Sequence, residues 1–434
     1  MASVTNLGRS AVVFAGCLAV AWGGYNFGRA LLGPKQGGDF AQHYIVSKAL
    51  MEGRVDLVYN TGQEYEQFGD RIGVRHIRGI HEGGPYRHHM TNAYPPFMAV
   101  AALPLAVFPF GTARLLFFAI SLVAMLLAVG LLFLDRPRED RRRMILAGLG
   151  VMLMLFPVWY TLYMGQVTAV LLLLLVGAME LGKRDRQWSA GLLVAVAGVI
   201  KVFPFIYLLW FVLRRQYRAA LWTVIFAAVL TGATLPVVGV ESYATYATKV
   251  VPQQWSGGAH PRNQGFAGTF LRLLTPSHFS SPLADCPGAA KALSVAASAL
   301  ALLAGSMFAW RGGRRRGRGY EMGFAMFLCI ALLVLGKFWD HYAVLLLPCW
   351  LLCLEVGSSE GATSPVALAA TALSYCVWAF VFCTGEELEA VPRSVWGQPL
   401  HAVKFAATLV LLACTWVHLR RMETPGPVTV VGRC

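Results

Sequence analysis

Long apolar runs recur along the whole chain and restrict its fold more than any other feature. Eight are clear: Ala11–Leu32, Ala113–Leu134, Ala219–Val240, Ala290–Trp310, Tyr320–Gly336, Tyr342–Glu355, Pro365–Cys383 and Leu400–His418. Four are shorter or interrupted: Pro95–Phe110, Met144–Tyr160, Val167–Leu181 and Trp188–Leu213. Only helices and closed barrels span a bilayer, and these runs show no strand alternation. They predict an all-α polytopic integral membrane protein with about 11–13 crossings in a single domain, residues 1–434.

Charged residues predict the side of the membrane on which each connecting segment lies. Five short segments hold 18 Arg and Lys against 5 Asp and Glu: "DRPREDRRR", "KRDRQ", "RRQYR", "RGGRRRGRG" and "LRRME". Short cytoplasmic loops carry such a basic excess, so we expect these loops and the N-terminus inside. The segments 33–94, 241–289 and 384–398 then face outward. The net charge of +15 therefore reflects the sidedness of a membrane protein, and no nucleic acid partner is expected.

Two of the interrupted runs conflict with a simple count of crossings. If Pro95–Phe110 and Ala113–Leu134 both crossed fully, "DRPREDRRR" would lie outside, so we favour a broken or re-entrant element near Phe108–Gly111. The run Trp188–Leu213 begins and ends beside basic loops and is interrupted at "KVFP". Two half-helices that rise and return would explain these flanks, and the crossing status of both runs stays open.

Polar residues at the edge of a membrane often mark a functional site. The stretch "GGDFAQHY" follows the first apolar run, and a helix beginning near Asp39 would present Asp39, His43 and Ser47 on one face. Asp39 also suits the role of an N-cap, which stabilises a helix by about 1 kcal/mol. Taken alone, the stretch is compatible with either role.

Three further polar interruptions also allow two interpretations each. Tyr94 in "NAYPPFMAV" is either an interfacial anchor before a helix start or a ligand contact. Gln166 in "YTLYMGQVT" belongs to a short turn or faces a ligand. Lys201 in "VIKVFPF" interrupts an apolar stretch beside a helix-breaking proline. It either snorkels to the interface or pairs with a phosphate or carboxylate.

Two more stretches carry groups suited to anions and sugars. "LGKFWDHYAVLLLP" places Lys337, Asp340 and His341 between two apolar runs. These residues could form an anion site, act as an acid/base pair or belong to a loop without a functional role. In "HPRNQGFAGTFLRL", the side chains that suit phosphate oxygens and sugar hydroxyls are Arg262, Asn263, Gln264 and Arg272. The outward segment also carries four histidines, His76, His81, His88 and His89. Their spacing matches no compact metal site, so contact with lipid phosphates is favoured over metal binding.

In this order, the stretches resemble glycosyltransferase family 87, polytopic enzymes of the GT-C class. The resemblance runs from Asp39 to Pro348 and rests on "GGDFAQHY", "YPPF", "MGQVT", "IKVFPF", "RNQGFAGTFLRL" and "KFWDHYAVLLLP". Trp339 and His341 match the late motif of the family, whereas Lys337 and Phe338 depart from it.

The resemblance implies a role for each candidate residue. Asp39 is the expected general base, and His341 is expected beside the leaving phosphate or the acceptor. Residues expected to bind the donor phosphate are Lys201, Arg272, Arg262 and Lys337. Those expected to contact sugar or acceptor are Tyr94, Gln166, Asn263, Gln264 and Asp340. No metal or other cofactor is required by this scheme.

The resemblance also implies a reaction and a location. The expected enzyme is an inverting transferase that moves a sugar, by family default mannose, from a polyprenyl-phosphate donor to a glycolipid or glycan hydroxyl. It would act on the outer face of the bacterial plasma membrane. The alternative is a lipid or glycolipid transporter, which broken helices and an intramembrane lysine suit equally well. A long polar segment after the first span and polar residues gathered at one face favour the enzyme.

Overall fold

A computed structural model of the chain describes residues 17, 20–32, 38–59, 63–74, 92–277, 281–311, 317–357, 364–381 and 398–422. Every regular element within these ranges is a helix. The absence of strands from this part of the chain agrees with apolar runs that lack a two-residue period. The class expected from the sequence, an all-α polytopic membrane protein, is confirmed.

The first apolar run and the described parts of the segment after it form helices. Helix α1 (20–32) belongs to that run. The segment after it contains α2 (Gly38–Met51), a 3₁₀ turn (Val55–Val58) and α3 (Gln63–Arg71), and the run Pro95–Phe110 forms α4 (Pro96–Ala101) and α5 (Leu103–Ala106). Most of α2 is buried. Its start at Gly38 confirms the helix expected near Asp39. The four histidines of the outward segment lie outside the described residues, and the expectation about them stays a prediction.

The remaining helices form the body of the protein. They are α6 (Phe110–Leu132), α7 (Arg138–Met154), α8 (Phe156–Met164), α9 (Thr168–Lys183), α10 (Gln187–Ile200), α11 (Tyr207–Leu213), α12 (Tyr217–Thr245), α13 (Val251–Trp255), α14 (Phe266–Leu274), α15 (Pro287–Arg311), α16 (Arg318–Leu333), α17 (Leu347–Gly357), α18 (Pro365–Phe380) and α19 (Gln398–Arg421). Two 3₁₀ segments, Phe203–Ile206 and Asp340–Leu346, precede α11 and α17.

Among the described residues, five helical stretches are long and apolar enough to cross a membrane. They are Phe110–Leu132, Tyr217–Trp255, Pro287–Trp310, Asp340–Gly357 and Pro399–Arg421. Helices α7 and α8 together give a sixth, bent by 66°. Leu155 is extended at that bend, and Pro157 in the first turn of α8 cannot donate to the preceding turn. The about 11–13 crossings expected from the whole sequence stay a prediction, because several apolar runs form shorter helices or lie partly outside the described residues.

The break expected near Phe108–Gly111 is present. Helices α4 and α5 together extend over residues 96–106, about 16 Å of helix, which is too short to cross the hydrocarbon core. The chain then turns at Val107–Pro109 before α6 begins at Phe110. One helix long enough to cross, α6, then lies between this element and "DRPREDRRR", as the favoured arrangement requires.

The chain also breaks at Lys201, as the sequence predicts. After α10 it packs back on itself, because Phe205 lies so close to Gly198 that a Cβ there would collide with its ring. Beyond α11, the amide of Gln216 donates to the carbonyl of Gly182 in the last turn of α9, at 2.8 Å. Both ends of the segment 187–213 therefore lie at the same end of the bundle, with Lys201 about 21 Å away along α10.

A buried ionic cluster lies at that same end. We define it by six residues: Asp135, Arg136, Glu180, Lys183, Glu321 and Glu355. Arg136 contacts Glu321 at 2.6 Å and Glu355 at 2.7 Å. Lys183 contacts Glu321, Glu180 and Asp135. The cluster joins the ends of α6, α9 and α17 to the start of α16, so the basic loops "DRPREDRRR" and "KRDRQ" meet there.

Candidate active site

A carboxylate and an amide meet at the opposite end of the bundle. Asp39 lies in the first turn of α2 and is partly exposed. Gln166 follows α8, and its side-chain amide donates a hydrogen bond to Oδ2 of Asp39. Gly165 precedes it in the left-handed conformation, φ 67°, which glycine adopts without steric cost. This turn ends α8 and directs the Gln166 side chain towards α2.

Tyr94 connects the amide to a cation. Its hydroxyl donates to Oε1 of Gln166 at 2.6 Å and accepts from Nζ of Lys201 at 3.2 Å. Burial raises the pKa of Tyr94 well above its usual value, so the phenol stays protonated. Asp39, Gln166, Tyr94 and Lys201 thus form one continuous series of hydrogen bonds, which we call the Asp39–Lys201 chain.

Two loop contacts and one ring contact hold Tyr94 in place. The hydroxyl of Tyr59 donates to the carbonyl of Tyr94 at 2.7 Å, and the amide of Tyr94 donates to Asn92 at 3.1 Å. His43 packs edge-on against the Tyr94 ring, with centroids 4.3 Å apart. Ser47 donates to the carbonyl of Ala99 at 2.7 Å and fixes α2 to α4. The polar face of α2 therefore orients the site as well as supplying Asp39.

Lys201 lies in the break after α10, between two aromatic rings. Its ammonium is 4.5 Å from the ring centroid of Tyr94 and 4.1 Å from that of Tyr342. Such aromatic contacts stabilise a partly desolvated cation. Among the described residues, no carboxylate lies within ion-pair distance of this ammonium. An anion could approach it directly.

His341 stands next to this cation. Its imidazole lies 4.6 Å from the ring of Tyr342 and 6.5 Å from that of Tyr160. The guanidinium of Arg262 donates to the Tyr160 hydroxyl at 2.6 Å and is partly exposed. Within the described part of the chain, Nε2 of His341 is buried and has no hydrogen-bond partner. This nitrogen is therefore available for a hydrogen bond to a bound substrate.

Three of the expected binding residues have backbone partners in and around the loop 258–274, and their binding roles stay a prediction. Arg272 is 1% exposed, and its guanidinium donates to the carbonyls of His260 and Asn263 at 2.8 and 2.6 Å. Burial lowers the pKa of Arg272 to about 9. Asn263 donates to Gly336 and accepts from Phe338, which joins this loop to the segment before His341.

Gln264 joins the same loop to α19. Its amide donates to the carbonyl of His401 at 3.0 Å, and its oxygen accepts from the amide of Phe405 at 2.8 Å. Gln264 is 3% exposed. Its hydrogen-bonding groups are thus engaged by backbone, and it fixes the first turns of α19 against the loop.

Asp340 has a cationic partner on α19. Nζ of Lys404 lies 3.1 Å from Oδ1 of Asp340, and both side chains are almost fully buried, at 5% and 1% exposed. Lys404 also lies over the rings of Phe156 and Trp378, at 4.8 and 5.2 Å. Because His341 follows Asp340 directly, this ion pair fixes the start of the turn that carries His341.

Lys337 is half-buried, and burial lowers its pKa. The structure records no contact between Lys337 and the Asp39–Lys201 chain. The adjacent Gly336 packs so tightly on the carbonyls of Gln254 and Trp255 that a Cβ would collide with them. This segment therefore packs against the end of α13.

Sequence reasoning missed three residues of the site. Tyr160 and Tyr342 lie within motifs that drew attention for other residues, and their rings border His341 and Lys201. Lys404 interrupts the last apolar run, Leu400–His418, and an intramembrane lysine is itself a signal. That signal could have identified Lys404 before the structure was known.

The arrangement suits a reaction between a hydroxyl group and an anionic substrate. A carboxylate oriented by an amide lies at one end of the Asp39–Lys201 chain, where it could accept a proton. The other end presents Lys201, with Arg262 and His341 nearby, where negative charge could be stabilised. Apolar helices surround both ends.

Comparison with known proteins gives a family match over more than half of the chain. Residues 92–336 match the model of Glycosyltransferase family 87. This range includes Tyr94, Gln166 and Lys201, whereas Asp39 precedes it and His341 follows it.

Two curated relatives, both bacterial, have related names. A polyprenol-phosphate-mannose-dependent alpha-(1-2)-phosphatidylinositol pentamannoside mannosyltransferase of Mycobacterium tuberculosis is 29% identical over 260 residues, 59% of this chain and 56% of that protein. A polyprenol-phosphate-mannose-dependent alpha-(1-2)-phosphatidylinositol mannoside mannosyltransferase of Mycolicibacterium smegmatis is 26% identical over 328 residues, 70% of this chain and 71% of that protein. The matched region thus spans little more than half the length of the first relative.

Proposed function

The chain belongs to glycosyltransferase family 87, and on that premise we propose that it transfers mannose from a polyprenyl-phosphate donor to a hydroxyl group of a lipid-linked acceptor. The observation that carries the proposal is the Asp39–Lys201 chain. It supplies a base and an anion-binding cation at its two ends, joined by Gln166 and Tyr94.

Asp39 is the general base of the proposed reaction. Its carboxylate removes the proton of the acceptor hydroxyl as that oxygen attacks the anomeric carbon of the donor. The bond between the anomeric carbon and the phosphate oxygen breaks, and its electron pair leaves with the polyprenyl phosphate. Attack opposite the leaving group inverts the anomeric centre. General base catalysis of this kind contributes about 10²–10⁴-fold in rate.

Lys201 stabilises the leaving phosphate in this proposal. Negative charge grows on the phosphate as the glycosidic bond breaks, and a preorganised cation favours that state. Arg262 lies on Tyr160 beside His341, so it adds a second cation at this end. The unpartnered Nε2 of His341 donates a hydrogen bond to the phosphate when it carries a proton. Lys337 remains a further candidate for donor binding.

Asp340, Asn263, Gln264 and Arg272 have a supporting role in the proposal. Their recorded partners are mainly backbone groups, with the Thr269 hydroxyl added for Arg272 and Lys404 for Asp340. They hold the loop 258–274, the turn at His341 and the start of α19 in register. Tyr94 and Gln166 act within the Asp39–Lys201 chain and orient the base.

The proposed location is the outer face of the bacterial plasma membrane. The ionic cluster and the basic loops "DRPREDRRR" and "KRDRQ" lie at one end of the bundle. Lys201 lies at the other end of α10, about 21 Å away. Because short basic loops prefer the cytoplasm, the Asp39–Lys201 chain would face outward.

The named relatives suggest the substrate classes. Both names include polyprenol-phosphate-mannose, and both include phosphatidylinositol mannosides as the molecules that receive the sugar. We propose the same donor class and an acceptor of the same kind, a mannosylated phospholipid.

A transfer assay in detergent separates this proposal from the transporter alternative, because solubilised protein has no two compartments between which to move a lipid. Purified protein is mixed with polyprenyl-phosphate-mannose and a phosphatidylinositol mannoside, and products are measured by mass spectrometry. We expect one hexose added to the acceptor for each polyprenyl phosphate released. Movement of either lipid across proteoliposomes, with no sugar transfer in detergent, would contradict the proposal.

A further inference from the structure

A groove opens between α1, α2, α6 and α8, beside the Asp39–Lys201 chain. Its enclosed volume is only about 10 Å³, room for about one water molecule, so a bound lipid would lie along its open side. Its walls are almost entirely apolar, and the residues that matter most here are Leu31, Phe40, Leu115, Phe118 and Leu162. Such walls suit hydrocarbon rather than a sugar. Phe27 and Phe118 pack edge to face at 5.2 Å, which holds α1 against α6 along the groove.

The inner end of the groove borders the proposed base. Phe40 follows Asp39 in the chain, and Gly165 precedes Gln166, and both line the groove. Asp39 and Gln166 are hydrogen-bonded to one another. The groove therefore meets the Asp39–Lys201 chain at its carboxylate end, whereas Lys201 lies at the far end of that chain.

Arg114 is the single charged residue that lines the groove. It lies in the second turn of α6, one of the helices long enough to cross a membrane. Among the described residues, no carboxylate lies within ion-pair distance of its guanidinium, and no hydrogen bond to it is recorded. An arginine without a partner at membrane depth is costly, and a phosphate can accept two of its N–H groups at once.

We propose that this groove binds the acceptor phospholipid, with the lipid phosphodiester on Arg114 and the first carbons of its acyl chains along the apolar walls. The inference rests on the proposed function and names the site that presents the acceptor to Asp39. The acceptor rather than the donor occupies the groove, because the groove meets the base and the donor phosphate requires the cations at the other end. The phosphate-bearing headgroup would then place its sugar hydroxyls towards Asp39.

The kinetic test compares two acceptors. One is a phosphatidylinositol mannoside, and the other is octyl α-mannoside, which has a sugar hydroxyl and a single chain but no phosphate. Arg114→Gln is expected to raise KM about tenfold for the phosphatidylinositol mannoside and to leave KM for octyl α-mannoside and for the donor unchanged. Arg114→Lys should retain part of the affinity, since it keeps the charge and loses the two-pronged contact.

A second variant tests the apolar walls. Leu115 is 47% exposed, so Leu115→Trp narrows the groove without disturbing the core. It should raise KM for the two-chain acceptor more than for octyl α-mannoside. Arg218→Gln, an exposed arginine at the start of α12, is the matched control and should change neither value. An equal loss on both acceptors, a raised KM for the donor, or no change in Arg114→Gln would overturn the inference.

A binding measurement keeps this inference separate from the proposed function. Phosphatidylinositol and diacylglycerol are offered to the purified protein in detergent, and retained lipid is counted by native mass spectrometry. Wild-type protein should retain phosphatidylinositol, and Arg114→Gln should lose most of it. If no sugar transfer occurs at all, the proposed function fails. Retention of phosphatidylinositol that depends on Arg114 would still support lipid binding in the groove. Equal retention of phosphatidylinositol by wild type and Arg114→Gln would overturn it.

Discussion

The buried pair of Lys404 and Asp340 leads to a prediction about both stability and catalysis. Lys404→Met keeps an unbranched apolar side chain only one atom shorter but removes the charge. The carboxylate of Asp340, 1% exposed, then loses its recorded cation at 3.1 Å. Removal of one partner from a buried ion pair costs about 3–5 kcal/mol in the free energy of unfolding, because the remaining charge is desolvated and uncompensated.

The two partners should respond unequally. In Asp340→Asn, the ammonium of Lys404 keeps its contacts with the rings of Phe156 and Trp378. Cation–π contacts are worth about 0.5–2 kcal/mol, so this variant should lose less stability than Lys404→Met. The double variant has no unpaired charge. It should recover at least half of the unfolding free energy that Lys404→Met loses. The remaining loss is about 1–3 kcal/mol, the cost of burying an amide without a partner.

Thermal unfolding in one detergent, followed for the four proteins of this cycle, measures the effect. Lys291→Met, which changes an exposed lysine in α15, is the control and should match wild type. Transfer rates, measured at a temperature well below unfolding, should fall in Lys404→Met. They should recover in the double variant, because the turn that carries His341 is restored. A Lys404→Met protein as stable as the control, or a double variant less stable than either single one, would refute this reasoning.

Two other perturbations test opposite ends of the bundle. Lys201→Met should raise KM for the polyprenyl-phosphate donor about 10–100-fold, the equivalent of one or two charge-assisted hydrogen bonds. Lys201→Arg should retain part of the affinity for the donor. Equal KM values for Lys201→Met and wild type would contradict the role of Lys201 in donor binding. Burial raises the pKa of Asp135, but hydrogen bonds from Lys183 and Arg184 outweigh it and bring the pKa to about 2. Because the folded pKa lies below the ordinary value of 3.8, the stabilisation is present above pH 4 and is lost as pH falls towards 2. Unfolding temperatures should therefore differ between wild type and Asp135→Asn at pH 6 and converge near pH 2, and a constant difference would count against the assignment.

The sequence predicted the centre of the site because each member was anomalous by itself. Asp39, Tyr94, Gln166 and Lys201 were all polar residues at the edge of apolar runs, and the structure joins them by hydrogen bonds. Asp39 and Gln166 are 127 positions apart in the chain, so no local pattern could have shown that they touch. The breaks at Phe108 and Lys201 were predicted from interruptions of the apolar pattern. A proline interrupts it at Phe108, and a lysine and a proline interrupt it at Lys201.

The orientation of individual polar side chains could not be predicted. Arg272, Asn263 and Gln264 have the chemistry to bind phosphates or sugars, and the same groups serve equally to satisfy buried backbone. Only the fold decides between these uses, since it sets which carbonyls lie within reach. The number of crossings stays a prediction for a related reason, because an apolar run indicates burial and does not show whether its helix crosses the bilayer.

The central claim is that Asp39 is the base of a sugar transfer, and single-turnover kinetics of Asp39→Asn test it most directly. The substitution keeps the shape of the side chain and removes its ability to accept a proton. With polyprenyl-phosphate-mannose and a phosphatidylinositol mannoside, we expect the transfer rate to fall about 10²–10⁴-fold while donor binding and the unfolding temperature stay near wild type. Asp56→Asn, a partly exposed aspartate paired with Arg54 in the same segment, should transfer at the wild-type rate. An Asp39→Asn protein that transfers mannose as fast as Asp56→Asn would contradict the claim.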